Sequence, residues 1–202
     1  MTFVKFCGLS RDEDIAVANK LGPCFVGFVF WKDSRRCVTL DKAVELSERL
    51  DPAITPVGVF YNSTLEEIGK VVSTGCIRTI QLHGGESERF VNCVQHETGL
   101  PVIRAFRVSN HQDVELAVST EADLLMLDGG LGEGRTFDWS LLDGIDRSFI
   151  LAGGLNPGNV GEAISKTHPF AVDVSSGIET DGVKDPRKMK QFMKAAETAM
   201  IA

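Results

Sequence analysis

Short apolar segments alternate along the chain with longer segments in which apolar residues recur every three or four positions. Apolar runs rich in branched and aromatic residues predict strands, whereas the longer periodic segments predict amphipathic helices. Eight strands are predicted, at residues 3–7, 24–30, 56–61, 77–82, 101–107, 123–127, 148–152 and 170–174. Helices are predicted at residues 11–20, 40–50, 64–73, 86–97, 110–118, 156–166 and 186–200, and the least regular helical pattern lies near 138–143.

The alternation of strands and helices predicts a parallel sheet that is covered by helices. Eight strand–helix units are the number found in a closed (β/α)8 barrel, although an open doubly wound sheet stays as an alternative because the pattern does not show closure. Two features favour the barrel. The first strand is not followed by G-x-G-x-x-G, and polar or glycine-rich clusters follow nearly every strand. We therefore expect one (β/α)8 barrel domain over residues 1–202.

Residues that commonly cap helices precede several of the helical patterns. The candidate N-caps are Ser10, Asp41, Ser63, Asn110 and Asn156, the last followed by a proline. Their side chains would accept hydrogen bonds from the first free backbone N–H groups of the helices.

Composition and charge narrow the class of protein. The chain has 43% hydrophobic and 24% charged residues, which excludes a disordered chain, and its net charge of -7 argues against nucleic-acid binding. The five cysteines form no C-x-x-C pair, which favours a reducing compartment over a disulfide framework. No signal-peptide pattern and no apolar run of membrane-spanning length is found. We expect a cytoplasmic protein without membrane or nucleic-acid partners.

The loops after the last two strands carry the best pattern for an anion site. Active sites of barrels lie at the carboxyl ends of the strands, and phosphate often binds after strands seven and eight. Gly153 and Gly154 follow the seventh predicted strand, and Ser175, Ser176 and Gly177 follow the eighth, where they could begin a short extra helix. Such turns expose backbone N–H groups to an anion, although each cluster alone is also consistent with a simple tight turn. Together they predict phosphate binding.

A cysteine and an aspartate at two other strand ends form a candidate base and acid. Cys7 ends the first strand and shares a face with Lys5, whose ammonium group would favour a thiolate. If Cys7 is not functional, it is an inert core residue, as we expect Cys24 to be. Asp128 follows an apolar strand, where poor hydration favours a protonated carboxyl. The alternative is that Asp128 only forms the turn after that strand. If both are functional, they are a general base and a general acid.

Three further side chains are candidates for substrate binding. Arg36, in the loop after the second strand, has the guanidinium fork that suits a carboxylate, although the adjacent Arg35 leaves the choice open. His83 follows the fourth strand on the face that it shares with Gln81, and a lone histidine is more often structural. The sequence contains no convergent set of His, Asp and Glu, so no metal site is predicted.

Several short motifs occur in a fixed order along almost the whole chain. They are K-F-C-G at 5–8, G-F-V-F at 27–30, S-R-R-C-V at 34–38, V-G-V-F-Y-N at 57–62, Q-L-H-G at 81–84, L-D at 127–128, G-E-G-R-T-F-D-W at 132–139, L-A-G-G-L-N-P-x-N-V at 151–160, D-V-S-S-G-I-E at 173–179 and K-D at 184–185. As an ordered set they resemble the phosphoribosylanthranilate isomerase family. The resemblance implies a (β/α)8 barrel of tryptophan biosynthesis. It would convert N-(5-phosphoribosyl)anthranilate to 1-(2-carboxyphenylamino)-1-deoxyribulose 5-phosphate by an Amadori rearrangement.

The resemblance also implies roles for individual residues. Cys7 would be the general base, Asp128 the general acid and Arg36 the group that holds the anthranilate carboxylate. The phosphate would be held by Gly153, Gly154, Ser175, Ser176 and Gly177. We place Gln81 and His83 among the substrate contacts, and we expect a monomer or homodimer that uses neither a metal nor a cofactor.

The chain departs from the family pattern in two loops. The family usually has proline at the position of Arg35, and it usually reads G-G-[S/T]-G where Leu131 and Glu133 occur, so the contacts of these loops are left open. Two other functions are kept as alternatives. One is a non-catalytic, regulatory barrel that binds a phosphosugar. The other is the related indole-glycerol-phosphate synthase, whose catalytic lysines have no obvious counterparts at these strand ends.

Overall fold

Eight parallel strands form a closed barrel. The computed structural model describes residues 2–130 and 136–199. Its barrel strands are β1 (Phe3–Cys7), β2 (Phe25–Val29), β3 (Thr55–Phe60), β4 (Thr79–Leu82), β5 (Val102–Arg107), β6 (Leu124–Asp128), β7 (Phe149–Ala152) and β8 (Ala171–Val174). Each strand pairs with the next in the chain, and β1 also pairs with β8. This pairing confirms the predicted barrel and excludes the open sheet.

Helices cover the outside of the barrel. They are α1 (Asp12–Leu21), α2 (Leu40–Glu48), α3 (Leu65–Val72), α4 (Glu88–Thr98), α5 (His111–Val118), α6 (Val160–Thr167) and α7 (Pro186–Ala199). The longest has 14 residues, and no helix in the described ranges is both long and apolar enough to cross a membrane. Residue 200, the end of the last predicted helix, lies outside the described residues.

The predicted helix near 138–143 is wrong. After β6 the described chain contains a single 3₁₀ turn at Trp139–Leu142, in which the Asp138 side chain accepts a hydrogen bond from the Ser140 amide. The turn ends at Asp143 because its backbone is extended. A short 3₁₀ helix at Ser176–Ile178 confirms the extra helix predicted after β8.

A small antiparallel hairpin, which the sequence pattern does not predict, follows that 3₁₀ helix. It consists of β9 (Glu179–Thr180) and β10 (Val183–Lys184). The hairpin lies between β8 and α7 in the chain, on the side of the barrel from which the loops extend.

The alternation of side chains along β1 separates the outer core from the barrel interior. Val4 and Phe6 belong to the large apolar cluster beneath the helices, and the Phe6 ring contacts the Phe192 ring of α7 edge-on. Lys5 and Cys7 point the other way because successive residues of a strand face opposite sides. The predicted shared face of Lys5 and Cys7 is thus confirmed.

A buried ion pair lies at the junction where the barrel closes. Lys5 of β1 is in register with Asp173 of β8, and the Lys5 Nζ atom lies 2.7 Å from the Asp173 Oδ1 atom. One layer higher, the Ser175 hydroxyl donates a hydrogen bond of 3.0 Å to the Cys7 carbonyl oxygen. The junction therefore places the end of β1 directly beside the loop after β8.

The helix N-caps partly differ from the prediction. Asn110 caps α5 as expected. The side chains of Thr39 and Thr64, rather than those of Asp41 and Ser63, accept hydrogen bonds from the first turns of α2 and α3, because these threonines have the extended backbone of a capping residue. The caps of α1 and α6 are Arg11 and Asn159, one and three residues after the predicted positions.

Replacement of the α3 cap tests this assignment. Thr64 and Glu67 form a reciprocal capping box, so Thr64→Ala should lower the free energy of unfolding by about 1 kcal/mol, the usual cost of losing a cap. Chemical denaturation measures the change, and Ser63→Ala is the matched control because no side-chain hydrogen bond is found for Ser63 in the described part of the chain. A larger effect of Ser63→Ala would contradict the assignment.

Candidate active site

A cleft at the carboxyl ends of the barrel strands brings most of the predicted site residues together. It encloses about 790 Å³ of empty space, which includes the part open to solvent. Eight of the ten predicted residues line it, namely Cys7, Arg36, His83, Asp128, Gly153, Gly154, Ser175 and Ser176. Gln81 and Gly177 lie outside the lining.

The Cys7 thiol lies in a compact buried setting at the floor of the cleft. Cys7 is only 7% exposed, and its strand neighbour Gly27 leaves the space that its sulfur occupies. A Cβ atom at Gly27 would lie 2.9 Å from the Cys7 Sγ atom and 3.4 Å from the Lys5 Nζ atom. Any side chain at position 27 would therefore displace the candidate base or the lysine beneath it.

The ionisation of Cys7 differs from the sequence-based expectation. Burial raises the pKa of the Cys7 thiol, and the nearby Asp173 carboxylate raises it further. The charges of Lys5 and Lys184 lower that pKa but do not outweigh burial. Lys5 therefore favours the thiolate, as expected, but burial keeps the pKa of Cys7 above its ordinary value, and Asp173, which pairs with Lys5, offsets part of the lysine charge.

The Lys5 ammonium group nevertheless stays charged in the barrel interior. Burial alone would lower the pKa of Lys5, but the Asp173 carboxylate and the Cys7 thiolate together outweigh burial and raise that pKa above the ordinary value. A protonated lysine therefore lies beneath the thiol and favours the thiolate whenever the thiol loses its proton.

Asp128 is held at the end of β6 by one hydrogen bond and by a polar contact with His83. Its Oδ1 atom accepts a bond of 2.8 Å from the Gly130 amide, and its Oδ2 atom lies 3.2 Å from the Nε2 atom of His83. The first contact is that of a turn former and the second faces the cleft, so the two interpretations of Asp128 are compatible. The carboxyl is 6% exposed.

Gln81 supports His83 from below and does not reach the cleft. The Gln81 side chain is fully buried, and its Nε2 atom lies 3.0 Å from the Nδ1 atom of His83. This contact fixes the orientation of the His83 ring, whose Nε2 atom lies on the side of Asp128. Gln81 thus contacts His83 and lies outside the cleft lining, and the substrate contact expected of it stays a prediction.

Glycines bring the loops after β7 and β8 close together. Gly153 has a φ angle of +90°, which favours glycine, and a Cβ atom there would lie 2.3 Å from the Gly129 amide nitrogen. A Cβ atom at Gly177 would lie 1.9 Å from the Leu155 carbonyl oxygen. Gly177 thus lets the loop after β8 approach the Leu155 backbone closely, and it lies outside the cleft lining. The helix expected to begin near Asn156 begins instead at Val160.

The structure distinguishes the two adjacent arginines. The Arg36 side chain lines the cleft and is 15% exposed, whereas the Arg35 side chain is 60% exposed and lies outside the lining. Arg36 lies against the backbone of Gly8, where a Cβ atom would be only 2.5 Å from the Arg36 Cδ atom. Both guanidinium groups contact Glu179, at 2.6 Å for Arg36 and 2.9 Å for Arg35.

Sequence reasoning missed three further residues that line the cleft. The rings of Trp31 and Tyr61 stack with their centroids 4.5 Å apart, and Asp173 lies beside Cys7. Trp31 and Tyr61 directly follow strand segments, and Asp173 interrupts an apolar strand. Asp128 is identified by the same two features, a position at the end of a strand and a polar residue next to an apolar run.

Within residues 2–130 and 136–199, no group of three or more His, Cys, Asp and Glu side chains is arranged to hold a metal ion. Leu131 and Glu133, which depart from the G-G-[S/T]-G pattern of the family, lie in residues 131–135, outside the described part of the chain.

Comparison with known proteins connects this site to one enzyme family. Residues 4–195 match the family model described as N-(5'-phosphoribosyl)anthranilate isomerase. A Clostridium acetobutylicum protein of that name is 42% identical over 202 residues, covering 96% of this chain and 97% of the relative.

Two solved structures share the fold closely. One is a phosphoribosyl anthranilate isomerase in complex with reduced 1-(o-carboxyphenylamino)-1-deoxyribulose 5-phosphate, with a TM-score of 0.89, 39% identity, and 98% and 100% of the two chains covered. The other contains monomers generated from the dimeric enzyme of Thermotoga maritima, with a TM-score of 0.87, 37% identity, and 98% and 99% covered.

Alkylation of Cys7 tests its electrostatic surroundings. Asp173→Asn removes a charge that opposes the thiolate, so the pH dependence of iodoacetamide labelling at Cys7 should shift to lower pH. Lys5→Met removes a charge that favours the thiolate, so the same curve should shift to higher pH. Mass spectrometry would follow the labelling, with the exposed Cys93 as internal reference. Shifts of the same sign would contradict this account.

Proposed function

This chain belongs to the N-(5'-phosphoribosyl)anthranilate isomerase family, and we propose that Cys7 and Asp128 carry out the acid–base steps of that reaction in tryptophan biosynthesis. The observation that supports the proposal is one cleft into which β1 brings a thiol and β6 brings a carboxyl group, with Arg36 at its edge. The reaction converts an N-glycoside of ribose 5-phosphate into the isomeric 1-amino-1-deoxyketose.

Asp128 is the proposed acid for opening the furanose ring. The ring oxygen must accept a proton as the bond from C1′ to that oxygen breaks, and the nitrogen lone pair then forms an iminium group with C1′. Asp128 is nearly buried, and its Oδ2 atom faces His83. We assign to His83 the task of orienting this carboxyl, with Gln81 fixing the ring from below.

Cys7 is the proposed base for the second step. It removes the proton from C2′, the electron pair flows toward the iminium nitrogen, and the resulting enolamine tautomerises to the ketone. The positive iminium group adjoins the carbon that loses its proton, so it acidifies that carbon and also favours a thiolate nearby. Lys5 beneath the thiol acts in the same direction. Because the iminium is the electron sink, the chemistry as proposed requires no cofactor.

The remaining surfaces of the cleft fit the two anionic ends of the substrate. We assign the anthranilate carboxylate to Arg36 and its aromatic ring to the stacked Trp31 and Tyr61, because flat aromatic surfaces suit offset stacking. The phosphate is assigned to the facing turns after β7 and β8, where glycine and serine amides are grouped.

The non-catalytic alternative is the weaker of the two functions. It explains the anion-binding turns but gives no role to a thiol and a carboxyl group placed in the same cleft. The named relatives are isomerases, which also favours catalysis. The proposed substrate is a small molecule. The structure of monomers generated from the dimeric Thermotoga maritima enzyme leaves both a monomer and a homodimer consistent with this family.

An activity assay tests the proposal directly. The purified protein should consume N-(5-phosphoribosyl)anthranilate, and the loss of the substrate's fluorescence measures the rate. Asp128→Asn and Cys7→Ser should each lower kcat at least about 100-fold, since an amide cannot release the proton and a hydroxyl is a much weaker base. Folded variants that retain binding of the reduced product analogue serve as the control. Unchanged kcat in either variant would refute its assigned role.

Comparison of the two arginine variants tests the carboxylate site. Arg36→Ala should lower kcat/KM by a factor that corresponds to a loss of about 2–4 kcal/mol in transition-state stabilisation. Most of the change should be a higher KM, because a charged contact with the carboxylate acts in the ground and transition states alike. Arg35→Ala is the matched control and should change kcat/KM less than about tenfold, because its guanidinium lies outside the cleft. The reverse order of effects would transfer the carboxylate contact to Arg35.

A further inference from the structure

Three cationic side chains converge on one buried carboxylate at the edge of the cleft. Glu179, the first residue of β9, is 8% exposed. Its Oε1 atom lies 2.6 Å from the Arg36 Nε atom and 2.7 Å from the Lys184 Nζ atom, and its Oε2 atom accepts from Arg35 and from the Nη2 atom of Arg36. The three cations and Glu179 form a set that we call the Glu179 cluster.

The bidentate contact with Glu179 uses one edge of the Arg36 guanidinium and leaves another open. Glu179 accepts from Nε and Nη2, at 2.6 and 3.0 Å, which are the two nitrogens along the side of the fork. The end of the fork, formed by Nη1 and the second Nη2 hydrogen, has no hydrogen-bond partner among residues 2–130 and 136–199. A guanidinium can bind a second carboxylate through that end.

The cluster also keeps the charge that a second carboxylate would need. An isolated Glu–Arg pair is neutral overall and attracts an anion poorly. Here Lys184 and Arg35 add two positive charges to the pair, so the group as a whole stays cationic. Burial alone would raise the pKa of Glu179, but the Arg36 hydrogen bond and the Lys184 charge hold it below its ordinary value. Glu179 is therefore ionised at neutral pH.

The position of Arg36 is restricted from a second side. Its aliphatic stem lies on the backbone of Gly8, which follows Cys7 directly, and any side chain at position 8 would collide with it. Glu179 fixes the head of Arg36 while Gly8 supports its stem. Such double restraint reduces the rotamer entropy that an arginine otherwise loses when it binds a ligand.

We propose that Glu179 is a positioning residue that orients the open end of the Arg36 guanidinium toward the substrate carboxylate. Glu179 does not contact the substrate itself. The inference rests on the proposed contact between Arg36 and the anthranilate carboxylate. It assigns recognition of that carboxylate to the paired Glu179 and Arg36 rather than to Arg36 alone.

A purely structural role for Glu179 is the alternative that the test must separate. The Glu179 carbonyl accepts a hydrogen bond of 2.6 Å from Lys188, so this residue also connects the hairpin to α7. A structural role predicts that substitution of Glu179 weakens the binding of every ligand equally, or lowers only the stability of the folded protein. The proposal predicts a loss that depends on the ligand carboxylate.

The experiment compares two ligands on the Glu179→Gln variant. The first is reduced 1-(o-carboxyphenylamino)-1-deoxyribulose 5-phosphate, and the second is the same compound without its carboxyl group. By calorimetry, we expect the variant to bind the first ligand at least about tenfold more weakly than the native protein and the second within about twofold. Glu88→Gln is the matched control, because Glu88 pairs with Arg104 outside the cleft lining. It should leave both affinities unchanged.

Two further variants make each outcome decisive. Glu179→Asp keeps the charge but shortens the side chain. It should therefore restore part of the discrimination between the ligands, which is the tighter binding of the ligand that carries the carboxyl group. It provides the same measurement if Glu179→Gln does not fold. Equal weakening of both ligands, or no weakening, in the folded variant would overturn the inference. If Arg36→Ala abolishes the discrimination while Glu179→Gln retains it, only the role of Glu179 fails. If Arg36→Ala also retains it, the proposed role of Arg36 fails as well.

Discussion

The pairing of β1 with β8 determines the arrangement of the cleft. This contact closes the barrel, and it carries a buried ion pair because Lys5 and Asp173 face each other in register. Removing one partner of such a pair leaves an uncompensated buried charge, at a typical cost of about 3–5 kcal/mol. The same junction places Cys7 one layer above the pair and the Ser175 turn beside it. Barrel closure and the assembly of the candidate site are thus the same structural event.

The net charge of the Glu179 cluster at the edge of the cleft is opposite in sign to that of the whole protein. The chain carries a net charge of -7, yet its candidate substrate is an anion with a phosphate and a carboxylate. The Glu179 cluster resolves this conflict because it concentrates cations at one edge of the cleft. A site whose field comes from a few buried groups is less sensitive to salt than one that depends on surface charge.

Prediction from sequence succeeds where local pattern decides the structure. The strands are recognisable because each is an apolar run, and Asp128 stands out because it ends such a run. The ionisation of Cys7 is not predictable in this way, since Asp173 lies far along the chain and meets it only when the barrel closes. The choice between Arg35 and Arg36 likewise depends on which side chain the fold directs into the cleft. The missing helix near 138–143 has too short a periodic segment to decide its own conformation.

The buried setting of Cys7 has a consequence for the durability of the protein. Oxidants attack thiolates that are accessible to solvent, and the oxidised forms beyond sulfenic acid are largely irreversible. Cys7 is only 7% exposed, and burial raises its pKa, so the resting protein presents its candidate base as a neutral, shielded thiol. In the proposed reaction the thiolate is required only for the step that follows formation of the cationic iminium. A reactive group that is generated only during turnover is protected from chemical damage for the rest of the protein's lifetime.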